Sequence, residues 1–92
     1  MEFEWAEEKR SSTLKARGID FLRMRQLFDG RLVLTYSSVR GEEERWVNVG
    51  QIDDKIFAVV WTVRETRIRI ISARRARDGE ERRYRALYGG RN

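Results

Sequence analysis

The segment RIRIISARRA (residues 67–76) is the most informative part of the chain, because its first half alternates arginine and isoleucine with a period of two. Such alternation is typical of a β-strand with one buried face. Arg67 and Arg69 then project from one face of the sheet, and the alternating isoleucines project from the other. A slip of one residue would bury the arginines, so the pattern restricts the register of the strand. We therefore predict a strand over residues 66–72 that carries arginines opposite the core.

The preceding segment, KIFAVVWTV (55–63), is predicted to be the antiparallel neighbour of this strand. A two-residue turn at Arg64-Glu65 would place Trp61 opposite Ile68, and opposed residues share a face. One face of the hairpin is then wholly apolar and must be covered by helices. That face consists of Phe57, Val59, Trp61, Ile68 and Ile70.

The rest of the chain supplies further strands and three helices. Residues 31–38 and 45–52 read as strands, and EFEW (2–5) reads as a short first strand. The predicted helices cover 6–17, ending at Gly18; the segment from the cap Asp20 to Asp29-Gly30; and the segment from the cap Asp78 to Gly89-Gly90. We predict an α+β fold in a single domain, 1–92. Two N-terminal helices pack on an antiparallel sheet of four to five strands, and a third helix ends the chain.

The positive charge is concentrated near the C-terminus. Residues 1–63 contain 10 Lys or Arg and 11 Asp or Glu, a balance of −1, whereas residues 64–92 contain 10 arginines and 4 acids, a balance of +6. All but three of the twenty basic residues are arginine, whose planar fork of donors suits phosphate. This pattern predicts a phosphate-rich or acidic partner. The alternatives are an arginine-rich genome and, for the run itself, a solvated surface.

Two residue types are missing altogether. The chain has no cysteine, which excludes disulfides and thiolate metal sites, and no histidine, which removes the usual general acid–base and the commonest zinc ligand. We therefore expect no metal and no cofactor. The acidic N-terminus and the lack of a long apolar run predict a cytoplasmic protein with no membrane partner.

Several segments together resemble the BrnT family of toxins from type II toxin–antitoxin systems. They are EFEWAEEK at the start, LKARGIDF, GEEERWVNVGQ, RIRIISARRA and EERRYRALY near the end, in the family's order. The resemblance implies a RelE-like fold and a ribonuclease that cuts RNA and halts translation. It also implies a BrnA-like antitoxin, which binds operator DNA, and a toxin homodimer within the complex.

The chain departs from the BrnT pattern at three places. Ala6 stands for an Asp, Trp61 stands where many members have His or Tyr, and Ala16-Arg17 replace a Lys-His pair. If the family's histidine takes part in catalysis, this chain should be weak or inactive. If that histidine only orders the end of a helix, Arg17 can replace it, because a cation there suits the helix dipole.

Metal-independent cleavage of RNA needs positive charge on the phosphate and groups that move protons, and arginine can supply only the charge. The resemblance and the arginine pattern lead us to predict catalytic and substrate-binding residues. The catalytic set is Arg67, Arg69, Arg74 and Arg17, and the substrate contacts are Arg64, Arg75 and Lys15. The proton carriers that remain possible are Glu65, Glu44, Lys15, Tyr36 and Tyr84.

Each predicted arginine also has a plain structural interpretation. Arg74 and Arg75 could instead form surface ion pairs with Glu80 or Glu81, and Trp61 is expected in the core rather than under an RNA base. At the level of function, the alternative is a toxin-fold protein with weakened catalysis, which acts as an antitoxin-binding or co-repressor module.

Overall fold

A five-stranded sheet with helices on both faces forms the centre of the protein. The computed structural model describes residues 1–89. The elements, in chain order, are β1 (Glu2–Glu4), α1 (Glu7–Arg17), α2 (Phe21–Met24), a 3₁₀ turn (Arg25–Phe28), β2 (Val33–Arg40), β3 (Glu43–Ile52), β4 (Lys55–Arg64), β5 (Arg67–Arg75) and α3 (Asp78–Tyr88). The α+β class is therefore confirmed, and Gly90, the last residue of the predicted helix end, lies outside the described residues.

The order of strands across the sheet is β1-β5-β4-β3-β2. Strands β2 to β5 pair antiparallel, as their short connections require. The edge strand β1 instead runs parallel to β5, with Glu2 beside Arg67 and Glu4 beside Arg69. The sheet is thus mixed, and the prediction of a purely antiparallel sheet is wrong at this edge. Two helices separate β1 from the other strands, so no hairpin dictates its direction.

The hairpin of β4 and β5 turns one residue later than predicted. Arg64 pairs with Arg67, so the turn is Glu65-Thr66, and Trp61 lies opposite Ile70 rather than Ile68. Glu65 has a left-handed backbone (φ 58°), which the turn requires. The pairing of β4 with β5 is therefore displaced by two residues. Because side chains alternate with a period of two, the same side chains still share each face. The predicted apolar face is therefore confirmed although its register was wrong.

A β-bulge interrupts β5 at Ile71. Trp61 pairs with Ile70, but the next residue, Val60, pairs with Ser72, so Ile71 is unmatched. Because of the extra residue, the side chains after Ile71 exchange faces relative to simple alternation. Ala73 therefore lies on the apolar face, and Arg74 lies on the other face with Arg69. The strand also continues to Arg75. The predicted end of this strand at residue 72 is therefore three residues too early, and Arg74 and Arg75 lie within the sheet.

The apolar face is covered by α2 and the 3₁₀ turn. Asp20 caps α2 by accepting a hydrogen bond from the Leu22 N–H, as the sequence predicts. Gly50 allows the 3₁₀ turn to approach closely, because a Cβ there would lie 2.7 Å from Cδ2 of Leu27. The buried residues of this layer are Ile19, Phe21, Met24, Leu27, Ile52, Phe57, Val59, Ile70 and Ala73.

The other two helices border the opposite face. Helix α3 packs one end of that face around the buried Tyr84, against Leu34, Val49 and Ala58. Its first turn is closed by Glu80, which accepts from the Arg77 N–H at 2.8 Å, rather than by the predicted Asp78. Helix α1 lies along β5 and ends at Gly18, whose left-handed backbone (φ 70°) matches the predicted cap.

Candidate functional site

The face of the sheet opposite α2, called the open face below, carries the polar side chains of four strands. One cross-strand row consists of the paired residues Tyr36, Val47, Val60 and Ser72. The next row towards the β4–β5 turn contains Ser38 paired with Arg45, and Thr62 paired with Arg69. The short side chains of Val47, Val60 and Ser72 leave a depression in the first row, and Arg45 of the second row borders it.

This depression is a cavity of about 270 Å³, which we call the basic cleft. Val47, Val60 and Ser72 form its floor, and Tyr36 and Ser38 lie at the β2 side. The remaining lining residues are all arginines, contributed by α1, β2, β3, β5 and the residue before α3. They are Arg17, Arg40, Arg45, Arg74 and Arg77.

The charges of the cleft are only partly balanced. Arg74 makes a bidentate ion pair with Glu80 (2.7 and 2.9 Å), and Arg45 pairs with Glu43 at 2.8 Å. Within residues 1–89, the other three arginines of the cleft have no carboxylate within 4 Å. Like charges gathered around a concave, partly desolvated surface attract an anion strongly. The cleft is therefore suited to a phosphate group.

One carboxylate orders the α3 side of the cleft. Glu80 is 7% exposed and accepts hydrogen bonds from Arg74, from the Tyr36 hydroxyl and from the Arg77 N–H. Burial alone would raise the pKa of Glu80, but these donors outweigh burial and lower it to about 2. Glu80 is therefore ionised and fixed in place, and its low basicity makes it a poor proton acceptor.

Tyr36 is the proton carrier that reaches the cleft. Burial, together with the hydrogen bond to the anionic Glu80, raises the pKa of Tyr36 above its usual value of 10.0. The guanidinium of Arg83 lies 5.7 Å from the centre of its ring. Tyr36 is thus held as a neutral phenol at the edge of a basic cavity, a state in which it can donate a proton but does not readily accept one.

Arg17 has two contacts at the end of α1. Its Nη1 donates to the carbonyl oxygen of Ala73 at 2.8 Å, which attaches the helix to β5, and its side chain also lines the basic cleft. The hydrogen bond to a carbonyl leaves the positive charge of Arg17 unneutralised. The residue that replaces the expected histidine therefore has a structural contact and faces the cavity as well.

A second cavity of about 270 Å³ lies beside the basic cleft, and we call it the basic hollow. It is bordered by four cations, Lys9, Arg45, Arg64 and Arg69, and by Ala6, Glu43 and Ile71, with Ile70 beneath. Arg69 donates to Glu4 at 2.9 Å. Arg45 lines both cavities, so the two are continuous along the open face.

The structure divides the residues predicted from sequence. Arg17 and Arg74 meet in the basic cleft, and Arg64 and Arg69 meet in the basic hollow. The other three lie apart. Arg67 is at the start of β5 and pairs with Glu2, Arg75 lies on the apolar side over the Phe57 ring, and Lys15 is on the outer surface of α1.

The remaining aromatic and acidic candidates lie outside the cleft. Tyr84 is a buried residue of α3 whose hydroxyl donates to the carbonyl oxygen of Leu32, while Glu44 and Glu65 are exposed near or at a turn. Trp61 packs edge-on against Phe28 and donates to Asn48 at 2.9 Å. Its expected place on the core side is confirmed.

Three arginines of the cleft were missed by the reasoning from sequence: Arg40, Arg45 and Arg77. The signal for the first two was the alternation of β2, which places Tyr36, Ser38 and Arg40 on one face, and the pairing of Ser38 with Arg45. If the loop between β2 and β3 had been predicted at residues 41–42, where it is observed, both arginines would have been assigned to the open face. No local pattern singles out Arg77, because α3 brings it to the cleft through tertiary packing.

Comparison with protein families matches residues 5–80 to the family described as "ribonuclease toxin, BrnT, of type II toxin-antitoxin system". No curated protein sequence matches the chain significantly. Among residues 1–89, no three carboxylates converge in an arrangement that could hold a metal ion. Over the same residues, no helix is both long enough and apolar enough to cross a membrane.

Proposed function

The chain belongs to the BrnT family of ribonuclease toxins of type II toxin–antitoxin systems, and from this premise we propose that it is a metal-independent endoribonuclease. We propose that the basic cleft binds the scissile phosphate and that cleavage of messenger RNA inhibits translation. The observation that supports this most strongly is the convergence of five arginines on one cavity with a small-residue floor.

The reaction that suits this cleft is internal transfer of the phosphoryl group. The RNA 2′-hydroxyl gives its proton to solvent water as its oxygen attacks the adjacent phosphorus, and the bond to the 5′-oxygen breaks. The departing 5′-oxygen takes up a proton, so the products carry a 2′,3′-cyclic phosphate and a 5′-hydroxyl. Negative charge builds up on the non-bridging oxygens, and the arginines stabilise it through charge-assisted hydrogen bonds. The neutral Tyr36 is our choice for the group that gives up its proton, otherwise donated to Glu80, to the departing 5′-oxygen, and solvent water then returns a proton to it.

The same premise supports proposals about partners. Membership of the family implies an antitoxin and an RNA target. We propose that the antitoxin is BrnA-like, that it binds operator DNA, and that the toxin is a homodimer within the complex. We place the protein in the cytoplasm, where messenger RNA and the operator are found.

A cleavage assay with purified protein and a chelator tests the proposed activity. Wild type should cut an RNA oligonucleotide in EDTA to products with cyclic phosphate ends. Arg40→Ala/Arg45→Ala should lower the rate about a hundredfold, because each arginine stabilises the transition-state charge. The matched control is Arg25→Ala/Lys55→Ala, which removes the same charge outside both cavities and should cut like wild type. Cleavage that stops in EDTA, or equal rates in both variants, would refute the proposal.

A second function has one observation in its favour. Arg74, Arg69 and Arg45 all have carboxylate partners, and Arg17 is bound to a backbone carbonyl, so much of the site is already occupied by internal contacts. This favours a toxin-fold protein with weakened catalysis that serves as an antitoxin-binding or co-repressor module. Expression without the antitoxin separates the two functions. Growth arrest with RNA cleavage supports the toxin, and harmless high-level expression supports the module.

A further inference from the structure

We propose that the basic hollow is a second nucleotide subsite, which binds the phosphate and ribose next to the scissile phosphate. The ligand is a single-stranded RNA that crosses the open face from the basic cleft to the basic hollow. This inference rests on the proposed ribonuclease function, because the cleft is taken to hold the scissile phosphate.

The charges of the hollow are those of a binding surface for a polyanion. Within residues 1–89, neither Lys9 nor Arg64 has a carboxylate within 4 Å. Glu43 also lines the hollow, but it is paired with Arg45 and does not neutralise Lys9 or Arg64. Two cations therefore remain without a counter-charge beside one cavity, and a phosphate bound there supplies it.

The hollow and the cleft are adjacent along a single path. Arg45 lines both, and α1 borders both, from Lys9 at the hollow to Arg17 at the cleft. These two positions are about 12 Å apart along the helix axis. The corresponding rows of the sheet are separated by two residues, roughly 7 Å. A short segment of extended RNA can therefore contact both cavities at once.

The hollow also has a surface for the rest of the nucleotide. Ala6 and the bulged residue Ile71 provide an apolar patch between the cations. A ribose or a base edge can cover this patch while its phosphate contacts the cations. A duplex would present its phosphates on a convex surface, whereas a single strand can enter concave sites. The shape thus favours single-stranded RNA.

Binding of RNA of two lengths tests this subsite. The probes are a dinucleotide and an octanucleotide, each with 2′-deoxyribose at the cleavage position so that binding is measured without reaction. Wild type should bind the octanucleotide much more tightly than the dinucleotide. In Lys9→Ala/Arg64→Ala this advantage should fall about tenfold, and the slope of log affinity against log salt should become shallower by about 1.4, because two phosphate contacts are lost.

The control variant is again Arg25→Ala/Lys55→Ala, which should keep the full length advantage. Equal affinities for the two lengths, or an unchanged advantage in Lys9→Ala/Arg64→Ala, overturn the subsite. Cleavage by wild type without any length dependence would also reject the subsite while leaving the proposed activity intact. Length-dependent binding by a wild type that cuts no RNA supports the subsite and rejects the activity.

Discussion

Arg17 combines a structural hydrogen bond with a place in the lining of the basic cleft. Its hydrogen bond to Ala73 joins α1 to β5 at the end of the helix. We expect Arg17→Ala to lower the free energy of unfolding by about 1 to 2 kcal/mol, because a partly buried carbonyl loses a charged donor. Arg17→Lys should restore part of this loss. Urea denaturation measures both changes, and an unchanged midpoint in Arg17→Ala would show that the contact contributes nothing.

Glu80 should make the stability of the protein depend on acidity. Its pKa in the folded state is about 2, below the ordinary value of 4.5, so the ionised form stabilises the fold above about pH 5. This contribution, on the order of 3 kcal/mol, is lost as the pH falls from about 5 to 2. Glu80→Gln should therefore be less stable than wild type at pH 7, and the difference should disappear near pH 2. Denaturation across this range measures it, and a constant difference would contradict the expectation.

At the level of elements, the bulge in β5 separates two neighbouring arginines that look equivalent in the sequence. Arg74 faces the basic cleft and pairs with the buried Glu80, whereas Arg75 lies on the other face over Phe57. We expect Arg74→Ala to lower the stability by about 3 kcal/mol, because Glu80 would be left as an uncompensated buried charge. Arg75→Ala should cost at most about 1 kcal/mol, the strength of an exposed cation–π contact.

The effect of Arg74 on RNA can be separated from its effect on folding. Arg74→Met/Glu80→Gln removes both charges together and keeps an acceptor for Tyr36, so stability should recover most of the loss. RNA cleavage by this double variant should stay low, whereas Arg75→Ala should cut at a rate near that of wild type. Recovery of cleavage together with stability would mean that Arg74 acts only through the fold.

The same bulge shows how far the sequence could predict this structure. Alternation in RIRII was enough to assign the faces of Arg67 and Arg69, and the cap residues Gly18 and Asp20 were found from local chemistry. Alternation could not show that Ile71 is an extra residue, because that depends on its pairing with β4. The parallel direction of β1 also depends on tertiary packing, as does the position of Arg77 in the same cavity as residues of β2. The cleft as a whole was therefore beyond the reach of local patterns.

For the whole molecule, the relevant property is how its charge is distributed. The net charge of +5 is modest, and many cations are neutralised locally by ion pairs. Five cations without a carboxylate within 4 Å, judged over residues 1–89, border the two adjacent cavities. They are Lys9, Arg17, Arg40, Arg64 and Arg77. Because these five cations lie together along one side of the sheet, the open face should guide RNA to that side.

This distribution predicts how the affinity for RNA depends on salt. Each phosphate neutralised by a cation releases counterions, with a slope of about −0.7 per contact for single strands. Five contacts give a slope of about −3 to −4 in a plot of log affinity against log salt for the uncleavable octanucleotide. Fluorescence anisotropy between low and high salt measures it, and Arg25→Ala/Lys55→Ala should leave the slope unchanged. A slope near zero would contradict phosphate-dominated binding and would instead indicate an RNA held through its bases.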